Sequence, residues 1–357
     1  MGGGHILVLN TLTDDVSFVD PIDDSVVGNV TVGKGPRDLV YAPASQRVFV
    51  TLSGTNTVGL LDLAERRIVC SEKAGVRPGH IYLHPSGQEV WVANDGSGDL
   101  TVLNAVSGEC LATIPAGTGH HKIAFTSDGK LAFATNIASS TVTIVDARAH
   151  KAIETVQVVK APHGVAVSPD DRFVLVCNNG ADVVSVIGVI EKRVVAEIRG
   201  PEGPNYVRMM PDGRRAFVVH KAGVVSVISL DSLKIECTLP VGQVPARVVF
   251  SQDGRLAFVN NTRSEDVSII DAVNPKIVGR VIVEAGGSHQ GMSFSPDGSR
   301  LYVVNHGAGS VSVLDVAKLR LLKRLVVGRG PSNIITTGQV PGAQLGSRKR
   351  ERFGVTA

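Results

Sequence analysis

Residues 301–315 read LYVVNHGAGSVSVLD. An apolar run ends at Asn305, a short glycine loop follows, and a second alternating run ends at Asp315. Val, Ser and Leu at period two are the pattern of a strand with one face buried. The same second run returns as VSFVD (16–20), VGLLD (58–62), LTVLN (100–104), VTIVD (142–146), VSVIG (184–188), VSVIS (225–229) and VSIID (267–271). Two further columns hold the register. One is a Gly-x-x-Pro approach to the next strand: GKGP (33–36), GVRP (75–78), GQVP (242–245) and GRGP (328–331). The other is a Pro-Asp-Gly-type turn: SPDD (168–171), MPDG (210–213), SQDG (251–254) and SPDG (295–298). Pro presets φ and Gly takes positive φ, so this column predicts a tight hairpin.

The chain therefore divides into eight units starting near residues 5, 48, 90, 131, 173, 215, 256 and 301. Each predicts four short strands within about 42 residues, which is the arithmetic of a β-propeller blade. Calling the innermost strand A, eight A strands follow the Pro column, near 37, 79, 121, 163, 205, 246, 289 and 332. The chain opens with strands B, C and D of one blade (5–33) and ends with a lone A strand, SNIITTG (332–338). The expectation is an all-β, eight-bladed propeller of four-stranded antiparallel blades. Its ring is closed by the C-terminal strand pairing with the N-terminal three, which removes exposed edges. Residues 1–338 form one domain on this reading, and 339–357 a basic, disordered tail.

Trp91 is the only tryptophan and WD40 signatures are absent. The units VFVTLSGTNTVGLLD (48–62), FATNIASSTVTIVD (133–146) and LYVVNHGAGSVSVLD (301–315) resemble the YVTN-type repeat across residues 5–338. That resemblance implies the fold and says little about function.

The formal charge is +3, and the tail carries all of it: Arg348, Lys349, Arg350 and Arg352 against Glu351. A neutral body argues against a nucleic-acid-binding surface. No stretch approaches the roughly 20 apolar residues of a membrane span. With no signal-peptide pattern the chain reads as cytoplasmic, or as periplasmic or extracellular if a signal was removed. Cys70, Cys110 and Cys237 are placed on D strands and Cys177 on a B strand, where they read as small apolar fillers outside disulfide geometry. The Asp column (Asp20, Asp62, Asp146, Asp271, Asp315) reads as turn capping.

Blade geometry places A–B and C–D turns on one face and D–A and B–C loops on the other, with D–A loops at the channel mouth. Of ten histidines, His5, His84 and His150 fall to the turn face. His220 and His306 enter B–C loops, and His80, His120, His121, His163 and His289 lie at the mouth. By blade, the first residue after the Pro column is Arg37, Gly79, His121, His163, Asn205, Ala246, His289 and Ser332. The second is Asp38, His80, Lys122, Gly164, Tyr206, Arg247, Gln290 and Asn333. Such a polar ring costs desolvation energy if the channel is dry, and it predicts a ligand site at the mouth.

Imidazole suits Fe, Cu or Zn, so His121 and His163, flanked by His80, are candidate metal ligands. Arg37, Lys122 and Arg247 suit an anionic ligand through charge-assisted hydrogen bonds. His289 lies across the channel, within reach of a larger ligand. Acids are few (Asp38, with Asp95, Glu202 and Glu284 nearby), which argues against a calcium-dependent, lactonase-type centre needing six to eight oxygens.

GHHKIAF (119–125) and APHGVAV (161–167) resemble the cytochrome d1 propellers, which place a histidine pair from consecutive blades on the distal side of a haem. The resemblance implies His121 and His163 as that pair, and a carboxylate-bearing tetrapyrrole held by Arg37, Lys122 and Arg247. The blade that supplies the iron ligand in that family carries Ser332 and Asn333 here, and no Cys-x-x-Cys-His motif is present. The sequence predicts a ligand-binding propeller with a metal or haem-type site open to redox chemistry. It leaves open a non-catalytic scaffold of the YVTN type with a protein partner, and a lyase or hydrolase using a histidine base.

Overall fold

The computed structural model describes residues 4–119, 122–283 and 291–338. Thirty-two strands, β1 (Ile6–Asn10) to β32 (Pro331–Thr336), form eight four-stranded antiparallel sheets, with no helix among the described residues. The A strands are β4 (Pro36–Ala42), β8 (Pro78–Leu83), β12 (Ile123–Phe125), β16 (Pro162–Val167), β20 (Pro204–Met209), β24 (Pro245–Phe250), β28 (Met292–Phe294) and β32. They head blades 1 to 8.

The last sheet joins the two ends of the chain. Its order is β3 (Ser25–Thr31), β2 (Asp15–Asp20), β1, β32, with Leu7 opposite Ile335 and Val8 opposite Ile334. His5 N donates to Thr337 Oγ1 at 2.8 Å and Thr337 N to His5 O at 2.8 Å, extending the closure by one residue pair.

Each sheet buries both faces, so its central strands are nearly continuous apolar runs. The core is consequently not one mass but eight layers, each between two neighbouring blades. Leu7, Phe18, Leu39 and Val50 fill the layer between blades 8 and 1, and Ile6, Val8, Tyr302 and Val313 the layer between 7 and 8. The remaining six layers complete the circle. Every blade therefore depends on two neighbours, and none has an independent core.

Recurrent polar contacts set the loops. Asp62 Oδ1 accepts from the N–H of Ala64 and Glu65, and Asp146, Asp271 and Asp315 do likewise on their own turns. The Asp column is turn capping, as its period implies. Asn94 at the end of its B strand donates to Asp99 Oδ1 at 2.6 Å and Thr101 Oγ1 at 2.9 Å, and Asn136 repeats this with Thr141 and Thr143.

Backbone bonds fix the two faces. Asp95 N donates to Arg77 O, Asn179 N to Ala161 O and Thr262 N to Val244 O, so each B–C loop rests on the D–A loop of its own blade. On the opposite face Ala105 N donates to Gln88 O and Ala147 N to Lys130 O, tying C–D turns to A–B turns.

The cysteines depart from their expected role. All four are free thiols, but Cys70 and Cys110 are exposed and Cys237 is half-buried, and only Cys177 is a buried filler. D strands form the outer rim, where alternate side chains face water. The tail 339–357 lies outside the described residues.

Candidate functional site at the channel mouth

Strand A begins irregularly. Its pairing with strand B slips between Pro36 and Asp38, Pro78 and Ile81, Pro162 and Val165, Pro204 and Tyr206, and Pro245 and Arg247. A bulge at this point re-aims the side chains that follow it. The second ring residue is then pinned by strand B of its own blade. Asp38 N donates to Thr51 Oγ1 and Lys122 N to Thr135 Oγ1, each at 3.0 Å, and Arg247 N to Asn260 Oδ1 at 2.9 Å. The Thr51 hydroxyl donates on to Gly79 O at 2.8 Å and that of Thr135 to His163 O at 3.1 Å, tying each ring residue to the next blade.

Four ring residues from successive blades join into a chain. Asn333 Nδ2 donates to Asp38 Oδ1. Asp38 Oδ2 lies 2.8 Å from His80 Nδ1, and His80 Nε2 lies 2.7 Å from Lys122 Nζ. A carboxylate facing Nδ1 places the proton there, leaving Nε2 to share a proton with the lysine amine.

The cluster is buried: Asp38 is 7% exposed and Lys122 9%. Burial alone would raise the Asp38 pKa, but the His80 hydrogen bond and charge, with Arg247 and Lys122, hold it below the ordinary carboxylate value. Burial and the neighbouring Arg247 push the Lys122 pKa down to about 7, against the pull of Asp38 and Asp95. The Tyr82 hydroxyl is pushed up by burial and by Asp38. Burial would raise Tyr206 as well, but Arg208 and Arg247 outweigh it.

Arg247 lies over the Tyr206 ring, 5.8 Å from its centroid, and its Nε is buried with no hydrogen-bond partner among the described residues. Arg37 is exposed at the mouth and close enough to depress Lys122. The half-buried His163 directs Nδ1 to Asn205 O at 3.0 Å, which makes Nδ1 a donor. Two glycines interrupt the ring for steric reasons. A Cβ on Gly79 would meet Asp95 Oδ2 at 2.6 Å, and one on Gly164 would meet Asn205 O at 2.7 Å.

Of the predicted residues, the structure brings together His80 and Lys122, with Arg37 and Arg247 in electrostatic reach, and sets His163 against blade 5. His121 and His289 lie outside the described residues. Both His80 nitrogens are hydrogen-bonded, so a metal on Nε2 would displace Lys122. Among the described residues no group of three or more His, Cys, Asp or Glu is arranged to hold a metal ion. Sequence reasoning passed over the central role of Asp38 and Asn333, although both stand in the second ring column. His84 and His150, on the turn face, pack on Trp91 and are structural.

A family model described as a seven-bladed β-propeller lactonase matches residues 70–193, about a third of a chain that has eight blades. No curated protein sequence matches the chain. Solved structures share the fold. Dihydro-heme d1 dehydrogenase NirN in complex with DHE superposes with a TM-score of 0.77 at 18% identity, covering 95% of this chain and 76% of that one. Apo AztD from Citrobacter koseri gives 0.70 at 14%, covering 95% and 98%. Hydrazine synthase from Kuenenia stuttgartiensis gives 0.61 at 21%, covering 74% and 90%. The chain is an eight-bladed propeller whose repeats resemble the YVTN type, and it is similar in fold to NirN.

Proposed function

We propose that the channel mouth binds an anionic small-molecule ligand, and that a carboxylate-bearing tetrapyrrole of the haem d1 kind is the ligand class it fits. The observation that carries this reading is the buried Nε donor of Arg247, which has no partner among the described residues, together with the buried Lys122. A buried donor without an acceptor costs about 1–3 kcal/mol, and a carboxylate would remove that cost. Arg247 and Lys122 act on Asp38, and Arg37 and Asp95 act on Lys122, so three basic groups meet two carboxylates and the mouth favours added negative charge.

The donor set also suits the tetrapyrrole. Arg37, Lys122 and Arg247 would hold its carboxylates. His163, whose Nδ1 is bonded to a backbone carbonyl, would be the residue that holds its metal. Such a group supplies a redox-active metal. The likeness to NirN, whose structure contains DHE, supports the class of ligand.

Absorption titration with haemin, a dicarboxylate tetrapyrrole, tests this. The wild type should saturate with a sharpened Soret band. Arg37→Gln/Arg247→Gln should bind at least tenfold more weakly, the loss of about one charge-assisted pair. His163→Ala should bind with an altered band. Absence of saturable binding, or identical titrations for all three, would overturn the proposal.

A further inference from the structure

The chain Asp38–His80–Lys122 does more than supply positive charge. We infer that Lys122 is a nucleophile that captures the carbonyl of an anionic aldehyde or ketone as an imine, with His80 as its base and Asp38 orienting the imidazole. The inference deepens the reading of the mouth as an anion site and rests on it, because Arg247 is the group that pairs the substrate's anionic end.

Three observations combine. The Lys122 amine lies 2.7 Å from an imidazole nitrogen whose other ring nitrogen is bonded to a buried carboxylate at 2.8 Å. That is the order nucleophile, base, orienter. The backbone at Lys122 is pinned by Thr135, so the amine is presented from a rigid strand start and not from a free surface side chain. Arg247, close enough to act electrostatically on the Lys122 amine, presents a buried Nε donor with no acceptor among the described residues.

The step balances without an added reagent. The amine lone pair forms the C–N bond and the carbonyl π pair moves to oxygen. His80 Nε2 takes one amine proton and returns it to that oxygen, giving a carbinolamine. The nitrogen then expels the hydroxyl, which leaves as water with the second amine proton, and a neutral imine remains. Asp38 stabilises the transient imidazolium.

The full chain is treated with pyridoxal 5′-phosphate as an anionic aldehyde probe. The imine is reduced with borohydride and the modified lysines are mapped by peptide mass spectrometry. Pyridoxal, which lacks the phosphate, is the comparison. The account expects Lys122 to be the fastest-labelled lysine and Lys122→Arg to lose that label. His80→Gln, removing the base, should slow labelling of Lys122 by about 100-fold while circular dichroism stays native. Arg247→Gln should erase the preference for the phosphorylated probe. Labelling spread evenly over surface lysines, or an unchanged rate in His80→Gln, would overturn it. Haemin titration of the same samples separates the two claims. Haemin binding without a Lys122 adduct refutes imine capture and leaves the anion site standing, and loss of both refutes both.

Discussion

Asp38→Asn is the most informative single change, because it keeps the shape of the ring and removes its central charge. The Asp38 carboxylate accepts from His80 Nδ1 at 2.8 Å, from its neighbour Leu39 N at 2.9 Å and from Asn333 Nδ2. An amide has one acceptor oxygen, so its NH2 group must face either His80 or the Asn333 and Leu39 donors. The change also strips the negative charge from beside buried Lys122 and from Arg247. Removing one partner of a buried charged pair costs about 3 kcal/mol. Unfolding entropy of about 2.1 cal/mol/K per residue gives about 0.75 kcal/mol/K for 357 residues, so the midpoint should fall by about 4 °C. The pH dependence follows from the same carboxylate. Its folded pKa is depressed, so its contribution is fully present above the unfolded value of about 3.9 and is lost as pH falls towards the folded value. Asn has no such limb, and the two curves should converge in acid. Scanning calorimetry from pH 7 to pH 3 measures both. A midpoint within 1 °C of wild type at pH 7, or a gap that persists unchanged at pH 3, would refute the reasoning.

Lys122→Met should be more stable than wild type at pH 6 by more than about 1 kcal/mol, with the gap closing by pH 10. The folded amine titrates near 7 and the unfolded one near 10.4, so wild-type stability rises with pH across that window. Urea unfolding at each pH checks it, and parallel pH profiles would count against a buried amine. Ile334→Ala, in the closing strand and 3% exposed, should cost about 3 kcal/mol and speed amide exchange in β1. Val244 holds φ at 51° before its proline, where Gly35, Gly203 and Gly330 hold the same turn in other blades. It is 44% exposed, so Val244→Gly relieves strain with little lost packing and should gain about 0.5–1 kcal/mol in thermal unfolding.

Much of the architecture is legible in the sequence because a propeller repeats its physics. The strand-C column, the capping Asp and the hairpin turns are each tied to a local rule, and eight copies average out single departures. Counting A strands gave the blade number and the closure. The departures are local too. Blades 3 and 7 have no proline in the column before strand A, and there the described part of strand A is Ile123–Phe125 and Met292–Phe294. The site was half legible. The second ring column names Asp38, His80, Lys122, Arg247 and Asn333, but not which of them touch. That is decided by the bulge at the strand start and by the Thr51 and Thr135 hydroxyls, which no strand-A pattern shows. Reading the histidines as the centre overweighted imidazole. In the structure His80 is the link between an acid and an amine.

The central claim is that this mouth is an anion site, and ligand-linked stabilisation tests it most directly. At haemin concentrations 100 times the dissociation constant, a ligand that binds only the folded chain adds about 2.7 kcal/mol. For this chain that is a rise in midpoint of about 3–4 °C. The account predicts that rise in the wild type and no more than about half of it in Arg37→Gln/Arg247→Gln at the same haemin concentration, because tenfold weaker binding leaves at most about 1.4 kcal/mol. No shift in the wild type, or an equal shift in the double variant, would contradict it.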